Sequence, residues 1–236
     1  VFGLSGLIST MGLLGRTAQL HIHAPQEMED FLNCILKMFC EGMEYEVLFH
    51  AIDTKQHCII YEDRSVEVWS LPLNHRVPCA GFLFKEKQAL PHIRREMIDA
   101  FNIPISQINN IKAGASWTTE DGTFIPHERL TFPAEPARSY AYCSDTRYSP
   151  RLAEMIQGVD LLYHEATFPH EMLTQAQKTM HSTSIEAAMM AKSAGAAKLL
   201  IGHYSARIKN ESPLLEEAKS VFPNTILAQE GVKIRI

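Results

Sequence analysis

Apolar positions along this chain come in short runs separated by polar turns. Residues 44–53, 58–61, 65–73 and 79–85 read as strands or short apolar runs, with β-branched and aromatic side chains concentrated in them. Before them, residues 25–40 read as a helix: Pro25 opens it, Glu27, Glu29 and Asp30 favour its start, and Gly42 follows it. From Arg138 onward, strands and helices alternate. Residues 139–143 are a predicted strand, and Ser149-Pro150 supplies an N-cap and first-turn proline for a helix stopping at Gly158. Residues 159–163 form the next predicted strand. Thr183-x-x-Glu186 is a capping box opening an alanine-rich helix that ends at Gly195, and residues 198–201 are a third strand. Ser212-Pro213 caps a further helix, and two short strands close the chain. The alternation predicts an α/β fold.

Residues 86–134 have a different texture. They carry Pro91, Pro104, Pro126 and Pro133, and the basic cluster Lys85, Lys87, His92, Arg94 and Arg95 lies at their start. We read them as an inserted arm with short helices near 92–101 and 105–112, set into a single domain spanning 1–236.

The bulk composition narrows the class. With 236 residues, 46% hydrophobic and 21% charged, the chain matches ordinary globular proteins, and no apolar run approaches the roughly 18 residues that span a bilayer. The apolar opening lacks the basic stretch of a signal peptide. Five cysteines, an odd number with no CxxC pair, suggest a reducing, cytoplasmic setting. A net charge of −5 argues against whole-surface nucleic-acid binding but leaves room for a local basic patch.

Polar, chemically capable residues follow the later predicted strands directly: Asp145, His164-Glu165 and His203. Ligand sites of α/β sheets gather at strand ends in this way. His75, Asp145 and His203 are therefore candidate metal ligands, because imidazole suits zinc and a carboxylate can bridge two divalent cations. Glu165 and His181 are a candidate acid/base pair, in which the carboxylate would fix the imidazole tautomer. A plainer alternative has His181 helping to cap the helix at 183. Ser205 and Arg207 are candidates for phosphate contact. His21-Ile-His23 reads as a partly exposed strand with both rings on one face, and His50, His57, His127 and His170 have no evident partner.

Six stretches in order carry a resemblance. Phe2-Gly-Leu-Ser-Gly-Leu-Ile-Ser-Thr-Met11 with Gly12-Leu-Leu-Gly-Arg16, and Leu73-Asn-His75-Arg-Val-Pro-Cys-Ala-Gly-Phe82, are the first two. Ser144-Asp145-Thr146, His164-Glu-Ala-Thr167, His181-Ser-Thr183 and Gly202-His-Tyr-Ser-Ala-Arg207 follow. Together they resemble the ribonuclease Z family, tRNA 3′-processing endonucleases of the metallo-β-lactamase superfamily. The resemblance implies a metallo-β-lactamase-type αββα sandwich and removal of the 3′ trailer from precursor tRNA, leaving a 3′-hydroxyl. It implies two Zn2+ per subunit, with Mn2+ sharing the ligand chemistry: His75 on one ion, Asp145 bridging, His203 on the other. Glu165 and His181 would protonate the departing 3′ oxygen, and the arm, with Arg94, Arg95 and Lys112 in Ile111-Lys-Ala-Gly114, would grip tRNA from the partner subunit of a homodimer.

The family's His-x-His-x-Asp-His signature is expected before Val1. A chain starting at Val1 is accordingly expected to lack the first strands of one sheet and to hold an incomplete site. Two other readings share these residues: a phosphodiesterase of the same superfamily acting on small substrates, and a non-catalytic tRNA-binding chain.

Overall fold

A computed structural model describes residues 2–40 and 42–236. The chain opens with α1 (Phe2–Leu13), β1 (Leu20–Pro25), α2 (Met28–Phe39) and β2 (Val47–Ile52). Strands β3 (Ile59–Glu62), β4 (Val66–Pro72) and β5 (Ala80–Glu86) follow. Next come β6 (His92–Ile93), α3 (Arg95–Ala100), α4 (Ile105–Lys112), β7 (Trp117–Thr118), β8 (Phe124–Ile125), α5 (His127–Leu130) and β9 (Thr131–Phe132). The last part runs β10 (Ser139–Cys143), α6 (Pro150–Met155), β11 (Leu161–Glu165), α7 (Leu173–Thr179), α8 (Ser184–Ala194), β12 (Lys198–Gly202), α9 (Ser212–Val221) and β13 (Thr225–Leu227).

The chain divides into two compact units. The first comprises residues 1–61, 68–84 and 139–236 and contains two sheets. Seven strands lie in the order β13-β12-β11-β10-β5-β4-β3, and β1 pairs in parallel with β2 in a separate sheet. On one face of the larger sheet Leu71, Leu83, Ala141, Leu162, Leu199 and Ile201 pack with α6, α8 and α9 in one core. Ala187, Ala188, Ala191 and Ala194 are fully buried in α8, and small side chains let its backbone come close to the strands. Burying each Leu or Ile there contributes roughly 1.5–3 kcal/mol.

Leu20, Ile22, Val47 and Phe49 on one face of β1–β2 pack with Ile8 of α1 and Leu32 of α2. The Tyr45 hydroxyl donates to the Ile8 carbonyl at 2.6 Å. His21 and His23 on the other face line a cavity of about 320 Å³ together with Tyr61, Val68, Phe82 and Phe84 of the larger sheet. The layers are thus helix, sheet, sheet, helix.

The second unit comprises residues 62–67 and 85–138. It has its own core of Ile103, Ile111, Ile125 and Leu130, and the Trp117 indole N–H donates to the Phe101 carbonyl at 3.2 Å.

Several boundaries differ from the sequence expectations. The helix expected at 25–40 begins at Met28, because Pro25 is the last residue of β1, paired with Ile52. The α6 helix stops at Met155, and Gly158, at φ +69°, completes the turn behind it. Glu211, not Ser212, occupies the cap position of α9. Only one of the two expected closing strands forms among the described residues, β13. The capping box is present in full: the Glu186 amide donates to the Thr183 side chain and the Thr183 amide to the Glu186 carboxylate.

Candidate active site

Parallel register assembles the site. Cys143 pairs with His164 and Glu165 with Gly202, so the carboxyl ends of β10, β11 and β12 lie at one rim. Asp145 follows β10 by two residues, Glu165 ends β11, and His203 follows β12 directly. His75 arrives from the loop after β4. That loop is tied to the Asp145 loop by the Asn74 amide donating to Thr146 Oγ1 at 3.0 Å and the Arg147 amide to the Asn74 carbonyl at 3.0 Å.

The two carboxylate oxygens of Asp145 face different imidazoles. Oδ1 is 3.2 Å from His203 Nε2 and Oδ2 is 4.0 Å from His75 Nε2. His75 Nδ1 lies 3.0 Å from the Met180 carbonyl, which can only accept. A proton therefore sits on Nδ1, and Nε2 is the nitrogen turned toward Asp145. Met180 itself is left-handed, φ +62°, at the end of α7. Donor atoms of Asp145, His181 and His203 lie within 4.8 Å of one another. The imidazoles of His75 and His203, with the Asp145 carboxylate between them, are a donor set that suits a divalent transition metal.

Glu165 is fully buried and its carboxylate is saturated. Oε1 accepts from His181 Nδ1 at 2.7 Å and the Thr146 amide at 2.7 Å; Oε2 accepts from the Thr167 hydroxyl at 2.5 Å and the Ser182 amide at 3.1 Å. Burial alone pushes this carboxyl up, but the hydrogen bonds from His181, Thr167 and Ser182 outweigh it and hold it below its ordinary value. The same bond to Glu165 is the main cause that raises His181 above the usual imidazole range, against the opposing effect of burial. His181 therefore does not cap α8; Thr183 does.

His203, like Met180, has a left-handed non-glycine backbone, φ +58°. Such a conformation costs roughly 1–3 kcal/mol and persists where neighbours enforce it. Here the Ala166 amide donates to the Gly202 carbonyl at 2.8 Å and the Ser205 amide to the Thr167 carbonyl at 3.1 Å, holding the segment on both sides of His203. Gly202 lets the Tyr163 side chain come close: a Cβ there would lie 2.6 Å from its hydroxyl.

These stretches of sequence now have counterparts elsewhere. No protein-family model matches the chain. A ribonuclease Z of Bacteroides fragilis is 52% identical over 235 residues, covering 100% of this chain and 77% of the relative. One of Porphyromonas gingivalis is 52% identical over 233 residues, covering 99% and 77%. The chain belongs to the ribonuclease Z family. Among solved structures, human tRNase Z, short form, matches with a TM-score of 0.65 at 20% identity, covering 100% of this chain and 74% of that one. A metallo-β-lactamase fold protein of Bacillus subtilis matches with a TM-score of 0.59 at 16% identity, covering 97% and 70%. The fold of this ribonuclease Z family member is therefore the metallo-β-lactamase fold, as its sequence suggested.

The remaining candidates of this family member are spread more widely. The Ser205 amide donates to the Thr167 carbonyl at 3.1 Å, and the Arg207 side chain is exposed. In the second unit Arg94 Nε donates to the Thr131 carbonyl at 3.2 Å and its guanidinium lies 4.0 Å over the Phe132 ring. Lys87 pairs with Glu62 at 2.5 Å and Arg138 with Glu86 at 2.7 Å. Arg95 and Lys112 make no side-chain hydrogen bond or ion pair among the described residues.

Sequence reasoning assigned no role to Thr146, Thr167 or Ser182, which supply three of the four donors to Glu165. Their only signal was a hydroxyl residue inside each short stretch already singled out. It also left His50 without a partner, whereas His50 Nε2 lies 2.8 Å from His21 Nδ1 and its ring stacks on that of His23.

Proposed function

We propose that this chain carries the catalytic rim of a metal-dependent endoribonuclease that removes the 3′ trailer from precursor tRNA by phosphodiester hydrolysis, leaving a 3′-hydroxyl. Its relatives are named ribonuclease Z, and hydrolysis of a phosphodiester is served by what the rim offers: a proton donor beside a cation-binding set. The observation that carries the reading is the His181–Glu165 pair, 2.7 Å apart, beside the Asp145 carboxylate and its two facing imidazoles.

His75 would hold one divalent cation and His203 a second, with Asp145 serving both; Zn2+ fits the imidazoles and Mn2+ shares the set. When bound, such cations polarise a phosphoryl oxygen and offset the charge that builds on it. The protein's own part is the proton. Glu165 holds His181 by Nδ1 and favours its protonated form, so the other ring nitrogen can give a proton to the departing 3′ oxygen as the P–O bond breaks. Water supplies the new oxygen on phosphorus, and the proton from His181 completes the 3′-hydroxyl.

In this reading the second unit is a tRNA-binding arm, working across a homodimer in the cytoplasm. Residues 85–138 carry as many acidic as basic side chains, so its grip would come from particular cations rather than net charge. Arg95 and Lys112, exposed or half-exposed and unpaired among the described residues, are the best placed for phosphate, with Arg94 using the N–H groups it does not spend on Thr131. Ser205 and Arg207 would meet phosphate at the rim. Among the described residues no helix is long and apolar enough to cross a membrane.

The test is to strip metal with a chelator and assay two substrates, a precursor tRNA and a small chromogenic phosphodiester, before and after adding zinc or manganese. Loss and recovery of tRNA cleavage is expected. Cleavage that survives complete metal removal would refute the metal-dependent reading; cleavage of the small ester alone would shift it to a small-substrate phosphodiesterase.

A further inference from the structure

Among the described residues, Thr167 is the only side chain hydrogen-bonded to both Glu165 and His203. Its Oγ1 lies 2.5 Å from Glu165 Oε2, 3.0 Å from His203 Nδ1, 3.1 Å from the His203 carbonyl and 3.4 Å from His181 Nδ1. A hydroxyl has one proton to give and two lone pairs to accept with. The buried carboxylate at the shortest distance takes the proton, because a charged acceptor makes the stronger bond. His203 Nδ1 must then donate to Thr167. That places a ring proton on Nδ1, so the nitrogen free to meet a metal is Nε2, which lies 3.2 Å from Asp145 Oδ1.

We propose that Thr167 is a positioning residue whose single hydroxyl sets the tautomer and orientation of His203 for metal binding while anchoring the carboxylate that orients His181. The proposal rests on the reading of His203 and Asp145 as metal ligands. His203 needs such a partner: it is exposed, its backbone is left-handed, and its ring has no other hydrogen-bond donor or acceptor on the Nδ1 side among the described residues. Thr167 is suited to the task, since it is buried and its own carbonyl accepts from the Ser205 amide at 3.1 Å. Outer-shell partners of ligating histidines fix which nitrogen meets the metal, and their loss typically weakens metal affinity by about 10–100-fold.

Zinc affinity, measured by competition with a chromophoric chelator, tests this without relying on turnover. Thr167→Val keeps the shape and removes the hydroxyl, so it should weaken zinc binding by about 10–100-fold, and Thr167→Ser should restore it. Wild-type affinity in Thr167→Val would overturn the proposal, as would a Thr167→Ser variant as weak as the valine. Asp145→Ala, run alongside, separates two failures. If it loses zinc and Thr167→Val does not, this proposal alone falls; if it keeps zinc, the ligand reading falls and takes the proposal with it. A second measurement needs no Thr167 variant to fold. Long-range proton–nitrogen NMR of the metal-free wild-type protein, assigned with His203→Gln, should show His203 protonated at Nδ1. A His203 ring with no proton on Nδ1 would overturn it.

Discussion

Glu165 Oε1 lies 2.7 Å from His181 Nδ1 and accepts the Thr146 amide at the same distance, so the imidazole is held by a carboxylate that cannot turn away. Every lone pair of that buried group has a donor. The charge is stabilised where it sits, and the ring it holds is presented at the rim.

His181→Ala should lower kcat on precursor tRNA by about 10²–10⁴-fold, the usual size of a lost general acid, with zinc content and tRNA affinity little changed. Parallel zinc and turnover assays check it. Zinc lost together with turnover would make His181 a ligand, which its place beside Asp145 and His203 also permits geometrically.

Glu165→Gln exchanges an acceptor for an NH2 group facing buried N–H or O–H donors. The unsatisfied groups should cost roughly 1–3 kcal/mol, read as a lower urea midpoint. A midpoint equal to wild type would mean the four bonds do not act together.

His23, packed beside the His21 and His50 rings, gives a pH dependence of its own. Burial first, then repulsion from His50 and His21, holds His23 below its ordinary value. Between that lowered value and the unfolded value of about 6.5 the unfolded chain binds the extra proton, so stability is kept above this window and falls as pH drops into it. His23→Gln should flatten the decline in melting temperature on acidification below about pH 6.5. An unchanged decline would show that His23 contributes nothing to it.

Gly202→Ala should destabilise by about 1–3 kcal/mol, because the new methyl meets the Tyr163 ring and hydroxyl and displaces that side chain. Chemical denaturation reads this directly. Tyr163→Phe in the same background should recover little, since the ring atom Cε2 also lies within 2.8 Å of that Cβ position.

In the arm, Arg95→Ala with Lys112→Ala should weaken precursor tRNA binding and lower the salt dependence of log Kd by about 1 for each phosphate contact removed. Cleavage of a small phosphodiester should stay the same. Equal losses on both substrates would take the cations out of tRNA recognition.

Much of this was legible in the sequence, for local reasons. The capping box at Thr183 and Glu186, the left-handed Gly195 and the short helices of the second unit are encoded within a few residues of themselves. His75, Asp145, Glu165, His181 and His203 were each marked by their position after a strand-like run or a motif. The hydrogen bonds that join them were not. Thr167 reaches both Glu165 and His203 only because β11 and β12 run parallel in the register that sets Glu165 opposite Gly202. The pairing of His21 with His50 likewise depends on β1 lying beside β2, with His23 opposite His50. The closing strand missing near the C-terminus shows the reverse: a short alternating run is not a strand unless a neighbour pairs with it.

The most direct measurement maps the cut. The protein carrying this chain, wild type and with Asp145→Ala, is mixed with a 5′-labelled precursor tRNA bearing a 3′ trailer, and the ends of the product are analysed. A single cut at the 3′ end of the tRNA body with a 3′-hydroxyl, lost in Asp145→Ala, is expected. Cuts scattered elsewhere, a cyclic phosphate end, or undiminished cleavage by Asp145→Ala would contradict the assignment.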